Sequence, residues 1–129
     1  MRRYSKKGLE RRKVERAGYV EFFQKHIKQI KDTRQCCREC GTRLKGCASE
    51  VAHVLPKGYF KSIATNDLNV IYLCGMYSEN QCHTNFDNFP NEKVEKMKIY
   101  PIIISIFAEL EDIITEKINY KIYDKYTIE

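Results

Sequence analysis

Apolar residues recur at three- and four-residue steps near the start of the chain, among arginine, lysine and glutamate. The stretch runs from about residue 9 to residue 33, and its apolar positions are Leu9, Ala17, Val20, Phe23, Ile27 and Ile30. This spacing places the apolar residues on one side of a helix. It predicts an amphipathic basic helix, either continuous or interrupted at Gly18.

The pattern changes to short apolar runs between residues 36 and 90. Cysteine and glycine are frequent in residues 36–47, which indicates a tight turn instead of a helix. Two runs, Val51–Leu55 before Pro56 and Asn69–Leu73, are each typical of a short strand, and a loop connects them. The segment His83–Phe89 predicts a short helix that stops at Pro90. Strand, loop, strand and helix together predict a ββα unit.

Helical periodicity returns near the end of the chain, over Glu92–Lys98 and Pro101–Ile118. The apolar face of the second segment consists of Ile103, Phe107, Leu110 and Ile114. This face either covers the core or pairs two chains as a homodimer, and the first alternative is favoured. No apolar run approaches the roughly 20 residues of a membrane span, so we expect no membrane partner.

These elements predict a small α+β protein that acts as one functional unit. A chain of 129 residues has room for one domain with helical attachments. We expect a basic helical arm over residues 1–35, a core over residues 36–90 and a C-terminal helical extension over residues 91–129.

The positive charge of the chain is concentrated near its start. The net charge is +6, from 23 Lys and Arg against 17 Asp and Glu. Residues 1–34 hold twelve Lys or Arg and four Asp or Glu, a local balance of +8, so the rest of the chain sums to −2. A concentrated positive face favours a polyanion such as nucleic acid, and a solvated helix face is the alternative. The residues expected to contact phosphates are Arg2, Arg3, Lys6, Lys7, Arg11, Arg12 and Arg16.

Six cysteines stand in a chain whose charged start lacks the apolar stretch of a secretory signal. We therefore expect a cytoplasmic protein with reduced thiols, which favours metal binding over disulfides. Cys37 and Cys40 have the spacing of a zinc knuckle, and Cys74 and Cys82 form a second, wider pair. Together they predict a structural zinc ion.

Two cysteines remain outside this set, namely Cys36 and Cys47. Either could replace one of the four predicted ligands. The simpler interpretation is that both are buried apolar thiols.

Three sequence blocks lie between and after the cysteine pairs. They are Glu50–Lys57 (EVAHVLPK), Asn69–Cys74 (NVIYLC), and Cys82-His83 followed by Phe86-Asp87. In this order they resemble the HNH endonucleases, the ββα-metal class, over roughly residues 36–89. The resemblance implies a zinc-stapled ββα-metal core that hydrolyses DNA phosphodiester bonds with a histidine-activated water and one divalent ion, Mg²⁺ or Mn²⁺. In its small size the chain resembles the solitary HNH proteins carried by bacteriophages and mobile elements.

The resemblance also implies roles for two residues of the strands. Hydrolysis of a phosphodiester needs a water deprotonated near neutral pH, and the imidazole pKa of about 6.5 suits this task. His53 matches the histidine that takes the proton in the family. Asn69 matches the asparagine that holds the loop and so orients that histidine.

His83 matches the metal-binding histidine of the family. Asp87 follows four residues later, so a helix would place both side chains on one face, as a pair of ligands requires. One departure is Ala52, because many members carry a metal ligand just before the catalytic histidine. Glu50 shares a side of an ideal strand with position 52, and it is a further candidate ligand; water is the alternative.

Two lysines of the connecting loop, Lys57 and Lys61, flank Tyr59 and Phe60. The mixture suits a phosphate backbone with an aromatic residue packed nearby, and solvated lysines beside core aromatics are an equal alternative. DNA bound through phosphates is the expected partner. A rival hypothesis is a zinc-knuckle module that binds nucleic acid without cutting it, and a third is a protein-interaction adaptor built on the C-terminal helices.

Overall fold

The computed structural model describes residues 5–57 and 60–115. In these residues the helices are α1 (Lys6–Thr33), α2 (Cys82–Asn88), α3 (Asn91–Val94) and α4 (Tyr100–Glu111), and the strands are β1 (Val51–His53) and β2 (Val70–Tyr72). The strands pair antiparallel, with His53 opposite Val70. The predicted α+β class and the order strand, loop, strand, helix are confirmed.

Helix α1 is continuous over 28 residues, so the first of the two alternatives at Gly18, an uninterrupted helix, is the correct one. It begins after Ser5, whose side chain accepts a hydrogen bond from the Gly8 amide at 3.2 Å. It ends at Arg34, which adopts a left-handed conformation with φ 52°. A single glycine inside a helix costs only about 1 kcal/mol relative to alanine, and the good helix formers around Gly18 outweigh this.

The C-terminal half of α1 packs on the body of the protein. Phe22, His26 and Ile30 are buried and lie four residues apart, so they form one face of the helix. This half contacts β1 and the turn Ala48–Glu50. The helical arm and the core predicted from the sequence therefore share one hydrophobic cluster.

Both strands are shorter than predicted. Val54 and Leu55 are buried but follow β1 without continuing it, because the chain there bonds to Asn69 instead of extending the ladder. A 3-10 turn at Asp67–Asn69 likewise delays the start of β2. The sheet therefore has three residue pairs, and hydrogen bonds from the loops hold the chain that continues beyond it.

The C-terminal helix covers the core of the single chain. Ile103, Phe107 and Leu110 are buried on one face of α4, and Ile114 packs against the same cluster. Pro101 lies in the first turn of α4, as expected. The favoured alternative, a core-covering face, therefore agrees with the burial. The predicted helix over residues 92–98 is only a short turn of helix, Asn91–Val94, and residues 116–118 lie outside the described part.

In the described residues, no helix combines the length and the apolar character needed to cross a membrane.

A polar network fastens α1 to the loop before β2. His26, which is only 4% exposed, donates from Nε2 to Asp67 Oδ1 at 2.9 Å, and its Nδ1 lies 2.6 Å from the Tyr72 hydroxyl. Lys25 forms an ion pair with the same carboxylate of Asp67. Both ring nitrogens of His26 are thus satisfied, as burial requires.

We expect the substitution His26→Leu to reduce the free energy of unfolding by about 2 kcal/mol, because it keeps the volume but removes both hydrogen bonds and leaves the Tyr72 hydroxyl unpaired. The matched control is Lys25→Ala, whose exposed ion pair should contribute less than about 1 kcal/mol. Urea denaturation followed by circular dichroism measures both. Equal free energies of unfolding for the two variants would show that the buried hydrogen bonds of His26 contribute no more stability than the exposed ion pair of Lys25.

Candidate metal centre and candidate active site

Four cysteines from two distant segments meet beside the sheet. The sulfur atoms of Cys37, Cys40, Cys74 and Cys82 all lie within 4.8 Å of one another. The sulfurs of Cys40 and Cys74 are 3.7 Å apart. A tetrahedral zinc ion with Zn–S bonds of about 2.3 Å would separate neighbouring sulfurs by roughly 3.8 Å. The four predicted ligands therefore form a cluster able to hold a structural metal such as zinc.

The backbone around the cluster is arranged to support thiolates. The amide of Cys40 points at Cys37 Sγ at 3.5 Å, and the amide of Cys82 points at Cys74 Sγ at 3.3 Å. Amide donors aimed at sulfur stabilise its negative charge. Gly41 closes the first turn with φ 79°, a left-handed conformation that favours glycine.

The thiols of the cluster differ in acidity. Burial raises the pKa values of Cys82 and Cys37 above the ordinary thiol value. Burial also acts on Cys40, but hydrogen bonds with Thr42 and Asn80 outweigh it and lower the pKa of Cys40 to about 6. Because the thiolate is the form that binds zinc, metal binding must release protons from Cys37 and Cys82.

The two cysteines outside the cluster are not buried, so that prediction is wrong. Cys36 is exposed and Cys47 is half-buried, and all six cysteines are free thiols. The backbone of Cys36 forms an isolated antiparallel β-bridge with that of Arg43 at the edge of the knuckle. Cys47 lies near the turn before β1, with its sulfur 3.3 Å from Ser49 Oγ.

Asn69 fixes the chain that follows His53. It is completely buried, its Oδ1 accepts from the Leu55 amide at 2.7 Å and its Nδ2 donates to the Leu55 carbonyl at 3.0 Å. The Asn69 carbonyl also accepts from the Val54 amide at 3.2 Å. The amide side chain thus behaves as an extra backbone unit that holds the end of β1 in place.

His53 is held in one orientation at the end of β1. Its Nε2 lies 2.8 Å from the Ala64 carbonyl oxygen, which can only accept, so Nε2 carries the proton and Nδ1 of the neutral ring holds the lone pair. The rings of Phe22 and Phe23 lie 5.5 and 5.8 Å from the His53 ring.

The surroundings of His53 favour its neutral form. Burial is the largest influence and lowers the pKa of His53, and the positive charge of Lys57 lowers it further. These effects outweigh the hydrogen bond to Ala64, which acts in the opposite direction. A neutral, oriented imidazole near physiological pH is what proton abstraction requires.

His83 and Asp87 form a pair on one face of α2. Nε2 of His83 lies 3.2 Å from Asp87 Oδ2, and Nδ1 donates to the Ser49 carbonyl at 2.5 Å. Burial lowers the pKa of His83, but the hydrogen bonds to Asp87 and Ser49 outweigh it, so the pKa is raised. An imidazole whose Nδ1 is bonded to a carbonyl presents Nε2 to a metal, and here a carboxylate stands beside it.

The second cysteine pair is directly connected to this histidine. Cys82 immediately precedes His83, and the His83 amide donates to the Cys74 carbonyl at 3.1 Å. A side chain at Gly75 would bring its Cβ to 2.1 Å from Ser49 Oγ and 2.8 Å from the Ser49 carbonyl oxygen. Position 75 therefore requires glycine, because its backbone packs closely against Ser49, whose carbonyl accepts the hydrogen bond from His83.

One cleft of about 730 Å³ brings most of the predicted site together. His53, His83, Asp87 and Lys57 all line it. Phe23 of α1 forms part of its wall, so the N-terminal helix belongs to this site. Asn69 lies beneath the loop and does not line the cleft, which agrees with a positioning role.

Glu50 is not brought to this cleft. Its buried carboxylate accepts hydrogen bonds from the amides of Lys45, Gly46 and Cys47, at 2.6 to 3.0 Å. The reason is local: residues 48–50 form a 3-10 turn before β1, so the alternation of an ideal strand does not apply to Glu50. Glu50 therefore stabilises the knuckle loop, and we do not retain it as an ion ligand. Ala52 is completely buried.

The predicted phosphate contacts fall into four groups. Lys57 lies at the cleft with its ammonium 5.3 Å from the Tyr19 ring centroid and 5.1 Å from that of Phe23. Lys61 is exposed and does not line the cleft. Arg2 and Arg3, like Tyr59, lie outside the described residues, and the others, Lys6, Lys7, Arg11, Arg12 and Arg16, belong to α1. Phe60 is a buried core residue.

Several groups of the site escaped the sequence analysis. The carbonyls of Ser49 and Ala64 orient the two histidines, but a backbone acceptor leaves no mark on residue type. Phe23 was recognised as an apolar helix position, although its place at the cleft was not. His26 had a detectable signal, because a histidine stands on the apolar face of α1 between Phe22 and Ile30.

A scan against protein-family models, a search of curated proteins and a search of solved structures each found no match to this chain.

Proposed function

We propose that this protein is a metal-dependent endonuclease that hydrolyses DNA phosphodiester bonds, with a site of the HNH type. The observation that carries the proposal is that His53, His83 and Asp87 line the same cleft. One side of this cleft offers a neutral imidazole with a free nitrogen, and the other offers an imidazole and carboxylate pair suited to a divalent ion. A scissile phosphate placed between them would contact both.

His53 acts as the general base in this mechanism. Its Nδ1 takes a proton from a water molecule, and the water oxygen forms a bond to phosphorus as the bond from phosphorus to the 3′ oxygen breaks. The 3′ oxygen leaves with the electron pair and takes a proton from solvent water, and His53 later releases its proton to solvent, so the products carry a 5′ phosphate and a 3′ hydroxyl. The hydrogen bond from Nε2 to Ala64 becomes stronger as the ring gains charge, which favours the transfer.

His83 and Asp87 would hold the divalent ion, Mg²⁺ or Mn²⁺. Such an ion acts as a Lewis acid that stabilises negative charge on the phosphate and on the leaving oxygen. Since Ala52 offers no ligand, His83 Nε2 and an Asp87 oxygen would be the protein groups that hold such an ion. Ser49 keeps the tautomer of His83 suited to binding. Lys57 supplies a positive charge at the mouth of the cleft for the phosphate backbone.

The test is a plasmid-cleavage assay with the zinc-loaded protein across Mg²⁺, Mn²⁺, Ni²⁺ and Zn²⁺, beside a metal-free lane. We expect nicked or linear DNA only when a divalent ion is added. A protein that retards DNA in a gel yet leaves it uncut with every ion would be the rival zinc-knuckle binding module. A protein with no affinity for DNA at low salt would support the adaptor hypothesis instead.

We expect the substitution Asp87→Ala to raise the metal concentration needed for half-maximal cleavage by at least about 10-fold, because it removes the carboxylate that lies 3.2 Å from His83 Nε2. The matched control is Asn88→Ala, an exposed neighbour on α2. Cleavage rates measured over a Mn²⁺ titration compare the two variants. An unchanged metal requirement in Asp87→Ala would remove Asp87 from the ion site.

A further inference from the structure

The N-terminal half of α1 extends from the body without a packing partner in the described structure. We call residues 6–17 the basic arm. Every non-glycine residue of the basic arm whose burial the structure describes is exposed, including Leu9 at 49% and Val14 at 73%. By contrast, the second half of the same helix buries Phe22, His26 and Ile30.

A helix without a buried face needs another source of stability. Isolated helices shorter than about 12–15 residues are marginal in water, because most helical stability in proteins comes from packing. The Ser5 cap and the continuous connection to the packed half support the basic arm, but neither explains its composition. A partner that covers the arm would explain it.

The charge of the basic arm selects the kind of partner. It holds six Lys or Arg and two Glu, hence a net charge of +4 in twelve residues. Its exposed apolar residues do not form a stripe, since Leu9 and Val14 lie about 140° apart around a helix of 3.6 residues per turn. A second helix would need such a stripe to pack against. A polyanion needs only the positive charge.

The position of the basic arm connects it to the cleft. Phe23 lines the cleft and Tyr19, one turn earlier, lies under the Lys57 ammonium. The helix therefore runs from the wall of the cleft outwards. From Phe23 to Lys6 it spans 17 residues, roughly 26 Å at 1.5 Å per residue. This equals about eight base pairs of duplex at 3.4 Å each.

We propose that the basic arm lies along the phosphates of duplex DNA on one side of the cut, so that the substrate is a duplex with roughly eight base pairs beyond the scissile phosphate on that side. This inference rests on the proposed nuclease function for the position of the cut. The contact with duplex DNA is measurable without cleavage.

The binding test uses the full chain loaded with zinc, without added catalytic metal, and a fluorescent 24-base-pair duplex. The variant Arg11→Ala/Arg16→Ala removes two charges of the basic arm, and the control Lys28→Ala/Lys96→Ala removes two exposed charges elsewhere. We expect the arm variant to bind roughly 10- to 100-fold more weakly at 0.1 M salt and to lose about two units of salt slope. Equal losses in both variants, or equal affinity of the wild type for single-stranded DNA, would overturn the proposal.

A second pair of variants separates the shape of the basic arm from its charge. Val14→Pro breaks the helix at an exposed position and keeps every charge, whereas Val14→Ala leaves the helix intact. We expect Val14→Pro to weaken duplex binding and Val14→Ala to leave it unchanged. If both variants bind as the wild type does, the helical shape of the arm is irrelevant and the proposal fails.

The cleavage test uses duplexes extended stepwise on either side of a mapped cut. For the wild type we expect kcat/KM to rise with extension on one side only, up to about eight base pairs. The variant Arg11→Ala/Arg16→Ala should lose this rise. A rise that persists in the variant contradicts the arm assignment. If binding depends on the basic arm but neither the wild type nor the variant cleaves DNA, the contact of the arm with duplex DNA is supported and the proposed nuclease function is refuted.

Discussion

The substitution His53→Ala is expected to lower the rate of DNA cleavage by at least about 100-fold, because general base catalysis contributes 10²–10⁴ to such reactions. Among the described residues that line the cleft, the other imidazole is that of His83, and both of its nitrogens are already paired, with Asp87 and with the Ser49 carbonyl. The measurement is the single-turnover rate on plasmid DNA at saturating Mn²⁺, where a defect in binding does not contribute.

The controls for His53→Ala establish that the loss is chemical. His53 is half-buried and is not one of the clustered cysteines, so zinc content and the melting temperature should stay close to the wild-type values. Affinity for an uncut duplex should also persist. Cleavage by His53→Ala at the wild-type rate would show that the base lies elsewhere and would remove the main support for the proposed mechanism.

The substitution Cys37→Ser is expected to abolish stoichiometric zinc binding and to unfold the core at room temperature. Structural zinc sites bind with about 10–16 kcal/mol at pH 7, and this energy becomes folding energy, whereas small domains are stable by only 5–15 kcal/mol. The cluster joins residue 37 to residue 82 and encloses both strands, so its loss affects the whole sheet.

The neighbouring cysteine provides the matched control for this experiment. Cys36→Ser removes an exposed thiol outside the cluster, and it should retain one zinc ion per chain and the wild-type melting temperature. Elemental analysis measures the zinc, and circular dichroism with and without a chelator measures the fold. If Cys36→Ser loses zinc and Cys37→Ser keeps it, the ligand set is wrong.

Periodic patterns allowed the main elements of the fold to be predicted. Of the apolar positions predicted for α1, Ile30 is buried and Phe23 and Ile27 pack against the core. Leu9 and Val20 are exposed, so the periodicity identified the helix but not the extent of its buried face. The sequence left open whether the helix is interrupted at Gly18, and it is not, because propensity is a weak local preference that a long helix overrides. The cysteine cluster was predictable because zinc ligation imposes both residue type and spacing.

The rest of the site depends on loop geometry that the sequence does not reveal. Glu50 was predicted at the ion site on the assumption of an ideal strand, but a 3-10 turn directs its carboxylate to three backbone amides. The orienting carbonyls of Ser49 and Ala64 belong to segments whose path is fixed only in three dimensions. Likewise, the pairing of His26 with Asp67 joins residues 41 positions apart.

The direct succession of Cys82 and His83 makes the cleft sensitive to oxidants. A sulfur–sulfur bond between Cys82 and another thiol of the cluster would remove two metal ligands at once and shift the start of α2. The histidine at that start would move with it, away from the Ser49 carbonyl. An oxidant that joins these sulfurs would therefore disturb the cleft as well as the metal site.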